Sequence, residues 1–419
     1  MKLLRILIVA CAVSALGIVP AAASQLATAN DYGLTARGIA LGNAITAVED
    51  DASLIFHNPA AMAKMDTGQI NAGYLFTDPN LSGGPKGDLK DFGEGNNIVL
   101  TNMIINLRDF FRSKRPFNIG LSIALDDDGK SLIEFIDAED EDGHFYRYGR
   151  TSSTMVTSAG LGITDWLYLG GGVYILLRGD TDFQVTTDLA GNTSNEGMAL
   201  TATLAYSPII SAYLDFEKFN VGVAYHGENY GAFENINVEA EATVGDSPLT
   251  DLPMQLAFQD LYVPQSVAVG VTMDVTEEFM VTVDGTWFNW GQFDEQVEKK
   301  DLPRQDVSLD FVDIYVPRLG MEYKVMPNFP IRLGYSYQQT PMRTPGSDGN
   351  IFLDNDRHVG AFGIGYTMDD LPVVALPITF DATFFHQYLV PDSYKSAEGL
   401  EFESEGNVNG GVVSVTLRY

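Results

Sequence analysis

The chain contains almost no cysteine. Its single cysteine, Cys11, lies in an N-terminal segment with the features of an export signal: basic residues at Lys2 and Arg5, an apolar run over 6–19 and small residues up to Ala23. We expect residues 1–23 to be removed, with cleavage within a residue or two of Ala23. The mature chain would then have no cysteine, which excludes a fold held together by disulfide bonds.

Basic residues are also scarce. The chain has 25 Lys and Arg against 56 Asp and Glu, a net charge of −31. A protein that binds nucleic acid needs Lys and Arg to neutralise phosphates, and a protein that grips anionic lipid heads needs a polybasic patch. The charge balance therefore argues against both kinds of partner. Solvated acidic loops are its simplest cause.

Long apolar runs are missing after the export signal. No later segment offers the roughly 18 consecutive apolar residues that indicate a transmembrane helix. The chain is instead rich in glycine, phenylalanine and tyrosine, with 41, 24 and 19 residues. An exported chain of this kind belongs to one of two classes, a soluble periplasmic or secreted protein or an outer-membrane barrel.

What the sequence does contain is a series of segments that alternate between apolar and small or polar residues. The last eight residues place Val413, Val415, Leu417 and Tyr419 on one face of a strand, because side chains alternate with period two. An apolar face that ends in an aromatic residue suits a strand with lipid outside and water inside. Tyr419 is also the candidate signal for the barrel-assembly machinery. Similar alternation recurs in 117–125, 219–226, 266–273, 279–287, 331–337, 362–366 and 378–388.

These segments run for about nine to eleven residues, the length that a tilted strand needs to cross a bilayer. A soluble β-sandwich would alternate in the same way. The connections favour the barrel, because short turns at 164–165, 275–278 and 326–328 alternate with longer acidic stretches. The longer stretches are 126–149, 180–197, 227–261, 292–313, 340–356 and 390–406. We predict an all-β fold, a transmembrane antiparallel β-barrel of about 14 strands at 67–419.

Residues 24–66 break the alternation. They are rich in alanine and glycine. Pro59 has no backbone N–H to donate to a sheet, and a proline disfavours the helical conformation of the residue before it, here Asn58. The stretch is too apolar for a free tail and too irregular for a spanning strand. Irregular backbone is tolerated at membrane depth where protein or water surrounds it. We therefore predict that residues 24–66 form a plug inside the lumen.

One run of residues carries a family resemblance. The stretch from Gly38 through the Asp50-Asp51-Ala52-Ser53 segment to Asn58-Pro59-Ala60 (the NPA segment) resembles the N-terminal hatch of the outer-membrane long-chain fatty acid transporters, the FadL-type proteins. The similarity resumes in the same order at 264–266, 287–293, 331–334, 356–358 and 402–406. The resemblance implies a 14-stranded barrel closed by an N-terminal hatch, with a kink in the third strand that opens the wall beside the NPA segment.

The resemblance also implies which residues act. The candidate gate consists of Phe56, His57, Asn58, Pro59 and Ala60. In this chain the third strand is 117–128, and three carboxylates followed by a glycine make continued pairing poor at its end. The candidate kink of the lateral opening is therefore Asp126, Asp127, Asp128 and Gly129.

The implied function is passive uptake of a hydrophobic molecule into an apolar lumenal site, which is worth about 0.8 kcal/mol per buried methylene. A long-chain fatty acid is the first expectation, and an aromatic or aliphatic hydrocarbon is the alternative. Arg178 and Arg332 are candidates to bind a fatty acid carboxylate, although a structural ion pair with lumenal acids is the commoner role for such residues. A non-transporting barrel for surface binding or adhesion is the competing class. Other expected partners are outer-membrane lipids, lipopolysaccharide and the assembly machinery, with no nucleic acid.

Catalysis and cofactors are not expected. An enzyme would need a nucleophile, a base and an orienting group, and the five histidines are scattered without zinc spacing or a nucleophile elbow. The acidic stretch 137–143 has its glycine misplaced for an EF-hand loop and lacks the bidentate glutamate. We expect no metal site, no cofactor and no catalytic residue.

Overall fold

The computed structural model describes residues 26–27, 30, 32–87, 89–92, 95, 97–108, 110, 114–126, 151–152, 154–188, 193–244, 247–292, 311–341, 355–368, 376–395, 399 and 401–419. The predicted signal 1–23 lies outside these ranges. In the part of the chain that the structure describes, no helix is both long and apolar enough to cross a membrane.

The described residues form mostly strands. In chain order they are β1 (Leu26–Ala27), β2 (Gln69–Pro85), β3 (Lys90–Phe92), β4 (Asn97–Asn106), β5 (Phe117–Asp126), β6 (Thr151–Ser152), β7 (Thr154–Gly162), β8 (Leu167–Asp188), β9 (Thr193–Asp215), β10 (Phe219–His226), β11 (Asn229–Val244), β12 (Ser247–Val263), β13 (Ser266–Asp274), β14 (Phe279–Phe288), β15 (Ile314–Met326), β16 (Phe329–Gln338), β17 (Arg357–Met368), β18 (Ile378–Lys395) and β19 (Glu401–Arg418). Three short helices precede β2: α1 (Ala36–Ala40), α2 (Leu54–His57) and α3 (Pro59–Met62). A 3-10 turn follows β14 at Trp290–Gln292.

All these strands except β1, β3, β6, β11 and β12 form a closed antiparallel barrel of 14 strands, as the sequence predicted. The last strand, β19, closes the barrel on the first, β2, with pairs that run from Phe402–Pro85 to Arg418–Gln69. Strands β11 and β12 pair with each other as a hairpin, and β11 also pairs in parallel with the extension of β8, while β10 pairs directly with β13.

Side chains along the wall alternate between the lumen and the outer surface, which confirms the predicted period of two. Large apolar side chains exposed on the outer surface include Tyr206, Ile210, Leu333, Phe384 and Val413. Small and polar side chains point inward and are buried, among them Asn71, Asn102, Ser122, Thr282 and Ser414. An apolar outer band around a polar interior is the arrangement that a lipid environment requires.

The connections differ between the two ends of the barrel. Short turns lie at the end where the chain terminus is fixed: Gly68 N donates to Tyr419 O at 2.9 Å, and the Tyr419 hydroxyl donates to Ile104 O at 3.1 Å. At the opposite, long-loop end, three stretches expected as connections are largely regular. Strands β18 and β19 occupy most of 390–406. Strands β8 and β9 extend into 180–197, and β11 and β12 occupy most of 227–261. Thr, Phe and Val in 181–187 favour strand, so pairing continues beyond the apolar band.

The lumen is filled by residues 32–66, which we call the plug. Helix α1 begins after Thr35, whose Oγ1 accepts a hydrogen bond from Gly38 N at 3.0 Å. Helix α3 begins with Pro59 after Asn58, whose Oδ1 accepts from Ala60 N at 3.1 Å. The NPA segment is thus a capping residue followed by proline at the first helical position, where its fixed φ is favourable. Large apolar residues of the plug are fully buried, including Leu34, Leu41, Ile45, Leu54, Ile55 and Met62.

Candidate functional site

The Asn58 side chain joins the NPA segment to the rest of the plug and to the wall. Its Nδ2 donates to Thr46 O at 2.7 Å and to Ala212 O of β9 at 3.3 Å. Besides its hydrogen bond to Asn58 Oδ1, Ala60 N donates to Ser211 Oγ of β9 at 2.9 Å. The start of α3 is therefore held on β9 by uncharged hydrogen bonds.

The other end of α3 is held by the third wall strand and its neighbour. Asn118 Nδ2 of β5 donates to Met62 O at 2.7 Å and to Met65 O at 2.9 Å. Asn106 Nδ2 of β4 donates to the same Met65 oxygen at 3.1 Å. Met62 O also accepts a backbone hydrogen bond from Met65 N at 3.2 Å, so the asparagines bind a turn that continues beyond the end of α3. The helix therefore bridges β9 and β5 across the inner face of β7 and β8.

Glycines in the wall let the plug backbone approach this closely. A Cβ at Gly160 would overlap Pro59 O, and a Cβ at Gly170 would overlap Ala60 N. A Cβ at Gly222 would overlap Thr46 O, while Gly120 faces Ile55 and Met62. We call Gly120, Gly160, Gly170 and Gly222 the glycine seat. A larger residue at Gly160, Gly170 or Gly222 would overlap plug backbone atoms, whereas one at Gly120 would overlap plug side chains.

Phe56 and His57 precede the NPA segment and lie among lumenal aromatic groups. The Phe56 ring lies 4.5 Å from the His226 ring and 5.8 Å from the Tyr174 ring, centroid to centroid. His226 Nε2 hydrogen bonds to Phe56 O at 2.9 Å. His57 Nε2 is buried without a hydrogen-bond partner among the described residues. Burial lowers the pKa of His57 to about 3, and the positive charge of Arg318 acts in the same direction, so this imidazole is neutral at physiological pH.

An apolar part of the wall lies next to these aromatic groups, towards the long-loop end. It consists of Ala124 in β5, Val156 in β7, Leu176 in β8, and Ala205 and Ile209 in β9. All five are buried in one cluster with the apolar residues of α2 and α3. We call these five residues the apolar wall patch. Among the described side chains of β5 and β7–β9, the lumen on the long-loop side of the NPA segment therefore combines aliphatic residues with the small polar residues Ser122, Thr154 and Ser207.

The opposite side of the plug contacts the wall through charged groups. Arg37 of α1 donates through Nε to Glu322 Oε2 of β15 at 2.9 Å. Arg332 of β16 donates to the same oxygen at 2.6 Å and, through Nη1, to Asp381 Oδ1 of β18 at 2.6 Å. Their side chains are 16% exposed at Arg37 and 8% or less at the other three. We call Arg37, Glu322, Arg332 and Asp381 the ionic anchor.

The structure describes the side chain of only one of the two candidate carboxylate-binding arginines. The structure places Arg332 between two carboxylates of the ionic anchor, which is the ion-paired role weighed as the alternative. The side chain of Arg178 lies outside the described residues, although its backbone belongs to β8. Neither observation tests ligand binding.

The candidate kink is described only at its start. Asp126 is the last residue of β5 and pairs with Ile98 of β4. On the other side, pairing between β5 and β7 is described up to Ala124 and Thr154. Asp127, Asp128 and Gly129 lie outside the described residues, so the kink stays a prediction.

A polar cavity of about 300 Å³ lies below the plug, towards the short-turn end. Plug residues Arg37, Glu49 and Asp50 line it together with turn residues such as Glu278 and Pro327. Ion pairs cross from plug to wall here, between Arg418 and Asp50 and between Lys64 and Asp215. The environment is charged at this end of the plug, whereas the apolar wall patch lies towards the other end.

The described residues hold no cluster of three or more His, Cys, Asp or Glu side chains that could bind a metal ion. The stretch 137–143 lies outside them. Sequence reasoning missed Ser211, Asn118 and the glycine seat. The alternating small and polar residues of 117–125 indicate a small lumenal face, but the register that brings Gly160 and Gly170 to the NPA segment requires the folded barrel.

Comparison with known proteins gives a consistent result. Residues 181–419 match the family model described as outer membrane protein transport protein (OMPP1/FadL/TodX). Alkane uptake protein A from Marinobacter nauticus is 23% identical, over 97% of this chain and 95% of that protein. A FadL homologue from Pseudomonas aeruginosa shares the fold with a TM-score of 0.58 and 16% identity, covering 95% of this chain and 99% of its own. The Pseudomonas putida toluene transporter TodX gives a TM-score of 0.53 and 15% identity, covering 93% and 99%.

Proposed function

Because the chain belongs to the outer membrane protein transport protein family (OMPP1/FadL/TodX), it is an outer-membrane barrel for hydrophobic compounds, and we propose that it takes up aliphatic molecules by passive diffusion through a gate at the NPA segment. The observation that carries this proposal is the placement of the NPA segment between the glycine seat and the apolar wall patch. A hydrophobic molecule in the lumen would reach the gate along an aliphatic surface.

The apolar wall patch supplies the driving force for entry. Each methylene that leaves water for such a surface gains about 0.8 kcal/mol. The described groups that hydrogen bond to the NPA segment are uncharged, so a hydrocarbon at the gate would not have to displace an ion from them. The gate would therefore admit an apolar chain without energy coupling.

The exit is lateral in this proposal. A path along the barrel axis would take the molecule through the charged cavity at the short-turn end, where an alkyl chain gains nothing from burial. Helix α3 contacts β5 through Asn118 near the start of that strand, and the candidate kink at Asp126–Gly129 begins at the strand's other end. Displacement of the NPA segment would connect the apolar wall patch to this part of the wall.

A neutral hydrocarbon is the substrate class that we favour over the fatty acid. The guanidinium of Arg332 is already neutralised by Glu322 and Asp381, so it offers no free charge to a carboxylate. The relative from Marinobacter nauticus is an alkane uptake protein by name. Long-chain fatty acids are the second candidate, through Arg178.

The test is uptake of radiolabelled hexadecane and palmitate by cells or liposomes that contain the protein. Wild type should accumulate hexadecane faster than control membranes, and Asn58→Ala should change the rate while heat-modifiable gel mobility shows an inserted barrel. Arg178→Gln separates the substrates, because it should slow palmitate only. Equal hexadecane accumulation with and without the protein, together with ligand binding at the loops, would favour the surface-binding class instead.

A further inference from the structure

The wall residue Asp284 connects to the gate through a single plug residue. Asp284 lies in the middle of β14, points into the lumen and is 3% exposed. Its Oδ2 accepts a hydrogen bond from Thr46 N at 2.8 Å. Thr46 O in turn accepts from Asn58 Nδ2 at 2.7 Å. A chain of two hydrogen bonds therefore joins the wall carboxylate to the residue that caps α3.

The turn that contains Thr46 is held by two inward residues of the same strand. Thr282 Oγ1 donates to Ala44 O at 3.0 Å, two residues before the point where Asp284 accepts from Thr46 N. Thr282 and Asp284 are two residues apart on β14, and their partners Ala44 and Thr46 are two residues apart in the plug. Glycines complete the site, because a Cβ at Gly222 would overlap Thr46 O and a Cβ at Gly270 would overlap the Asp284 carboxylate. These contacts fix the position of the Thr46 turn along the barrel axis.

A carboxylate is a costly way to accept one backbone N–H. A buried charge must be desolvated, whereas the neutral hydroxyl of Ser211 accepts from Ala60 N a short distance away. The gain from the charge is a hydrogen bond about twice as strong as a neutral one. Arg318 stands opposite Asp284 in the register of β14 and β15, so a cationic residue neighbours this carboxylate.

From these contacts we propose that Asp284 is a positioning residue for the gate: its carboxylate holds Thr46, and Thr46 holds Asn58 in the orientation that caps α3. The uptake role of this positioning rests on the proposed function. The structural coupling does not, so the two are tested separately.

Amide hydrogen exchange, read by mass spectrometry on peptides that cover 36–44 and 54–62, tests the coupling. Asp284→Ala should raise exchange over 54–62 at least about fivefold, because Ala60 N and Ala61 N lose a fixed acceptor. Asp284→Asn keeps a neutral acceptor and should remain within about twofold of wild type. Thr383→Val is the matched control, since it removes the hydrogen bond from Thr383 Oγ1 to Ala36 O at 2.7 Å and should raise exchange only over 36–44.

A second pair of variants covers the case in which Asp284→Ala does not fold. Gly222→Ala displaces Thr46 O from the opposite side and should raise exchange over 54–62 in the same way. Gly285→Ala on β14 adds a methyl where nothing lies within 4 Å and should leave exchange unchanged. Wild-type exchange over 54–62 in both Asp284→Ala and Gly222→Ala overturns the proposal. Absence of hydrocarbon uptake by wild type would refute the transport function and leave the exchange result intact.

Discussion

The two sides of the plug contact the wall by different physical means. On the NPA side, backbone lies directly on wall glycines, and the hydrogen bonds from Ala60 N to Ser211 and from Asn118 to Met62 O involve neutral groups. On the α1 side, Arg37 reaches a buried carboxylate that is shared with Arg332. Buried ion pairs tolerate little displacement, because separation leaves uncompensated charge. We therefore propose that the α1 side is the fixed side of the plug and that the NPA side is the part that moves.

The largest effect should come from the fixed side. Glu322→Gln leaves Arg37 and Arg332 buried without their shared charge, so we expect a loss of about 3–5 kcal/mol in the free energy of unfolding. Urea unfolding of the protein in lipid vesicles, followed by tryptophan fluorescence, measures this loss. A change below about 1 kcal/mol would mean that the ionic anchor is solvated, and the contrast between the two sides would disappear.

A smaller loss is expected on the NPA side when the glycine seat is filled. Gly170→Ala places a methyl against Ala60 N and should cost about 1–3 kcal/mol, as overpacking does. It should also change the rate of hydrocarbon uptake, because the NPA segment is displaced. Gly171→Ala is the matched control on the same strand, since its Cβ would make only an ordinary contact of 3.5 Å with Ile209 O. Equal losses of stability and equal changes in uptake for Gly170→Ala and Gly171→Ala would rule out a role of the glycine seat in holding the NPA segment.

Removal of one neutral bond at the gate should cost less again. Ser211→Ala deletes the acceptor for Ala60 N, while the Asn58 Oδ1 acceptor at 3.1 Å remains. We expect about 1 kcal/mol, measured by the same unfolding assay. A cost comparable to that of Glu322→Gln would show that the NPA side is held as firmly as the α1 side.

The smallest effect should come from the exposed plug–wall ion pair at the short-turn end. Asp50→Asn breaks the contact between Asp50 Oδ2 and Arg418 Nη2, which is 3.1 Å long and partly exposed. Because solvent screens such pairs, we expect less than about 1 kcal/mol, and salt should reduce the difference from wild type further. A large, salt-independent loss would extend the ionic anchor to this end.

The sequence predicted the barrel well because its signal is local. Alternation at Val413 and Val415 or at Leu333 is set by neighbouring residues, and each strand must satisfy it to present an apolar outer face. The NPA segment could also be recognised in the sequence, since Asn followed by Pro is a local capping signal. These features need no knowledge of distant partners.

The contacts of the gate could not be predicted in the same way. Glu322, Arg332 and Asp381 form one network only because β15, β16 and β18 curve around the same plug helix. Gly222 and Asp284 meet Thr46 through a strand register that no single segment encodes. The sequence therefore left Arg332 as a ligand candidate, and its ion-pair partners were identified only in the folded structure. The strand character of 181–187 was hidden by the acidic residues around it.

The most direct test of the account is a reversible lock on the gate. The mature chain is expected to lack cysteine, so Ala60→Cys combined with Ser211→Cys creates a unique pair where Ala60 N and Ser211 Oγ lie 2.9 Å apart. Hexadecane uptake by liposomes is measured before and after oxidation of this pair, and again after reduction. We predict that oxidation stops uptake and that reduction restores it. Uptake at the same rate with the disulfide formed would contradict a moving NPA segment and the gate built on it.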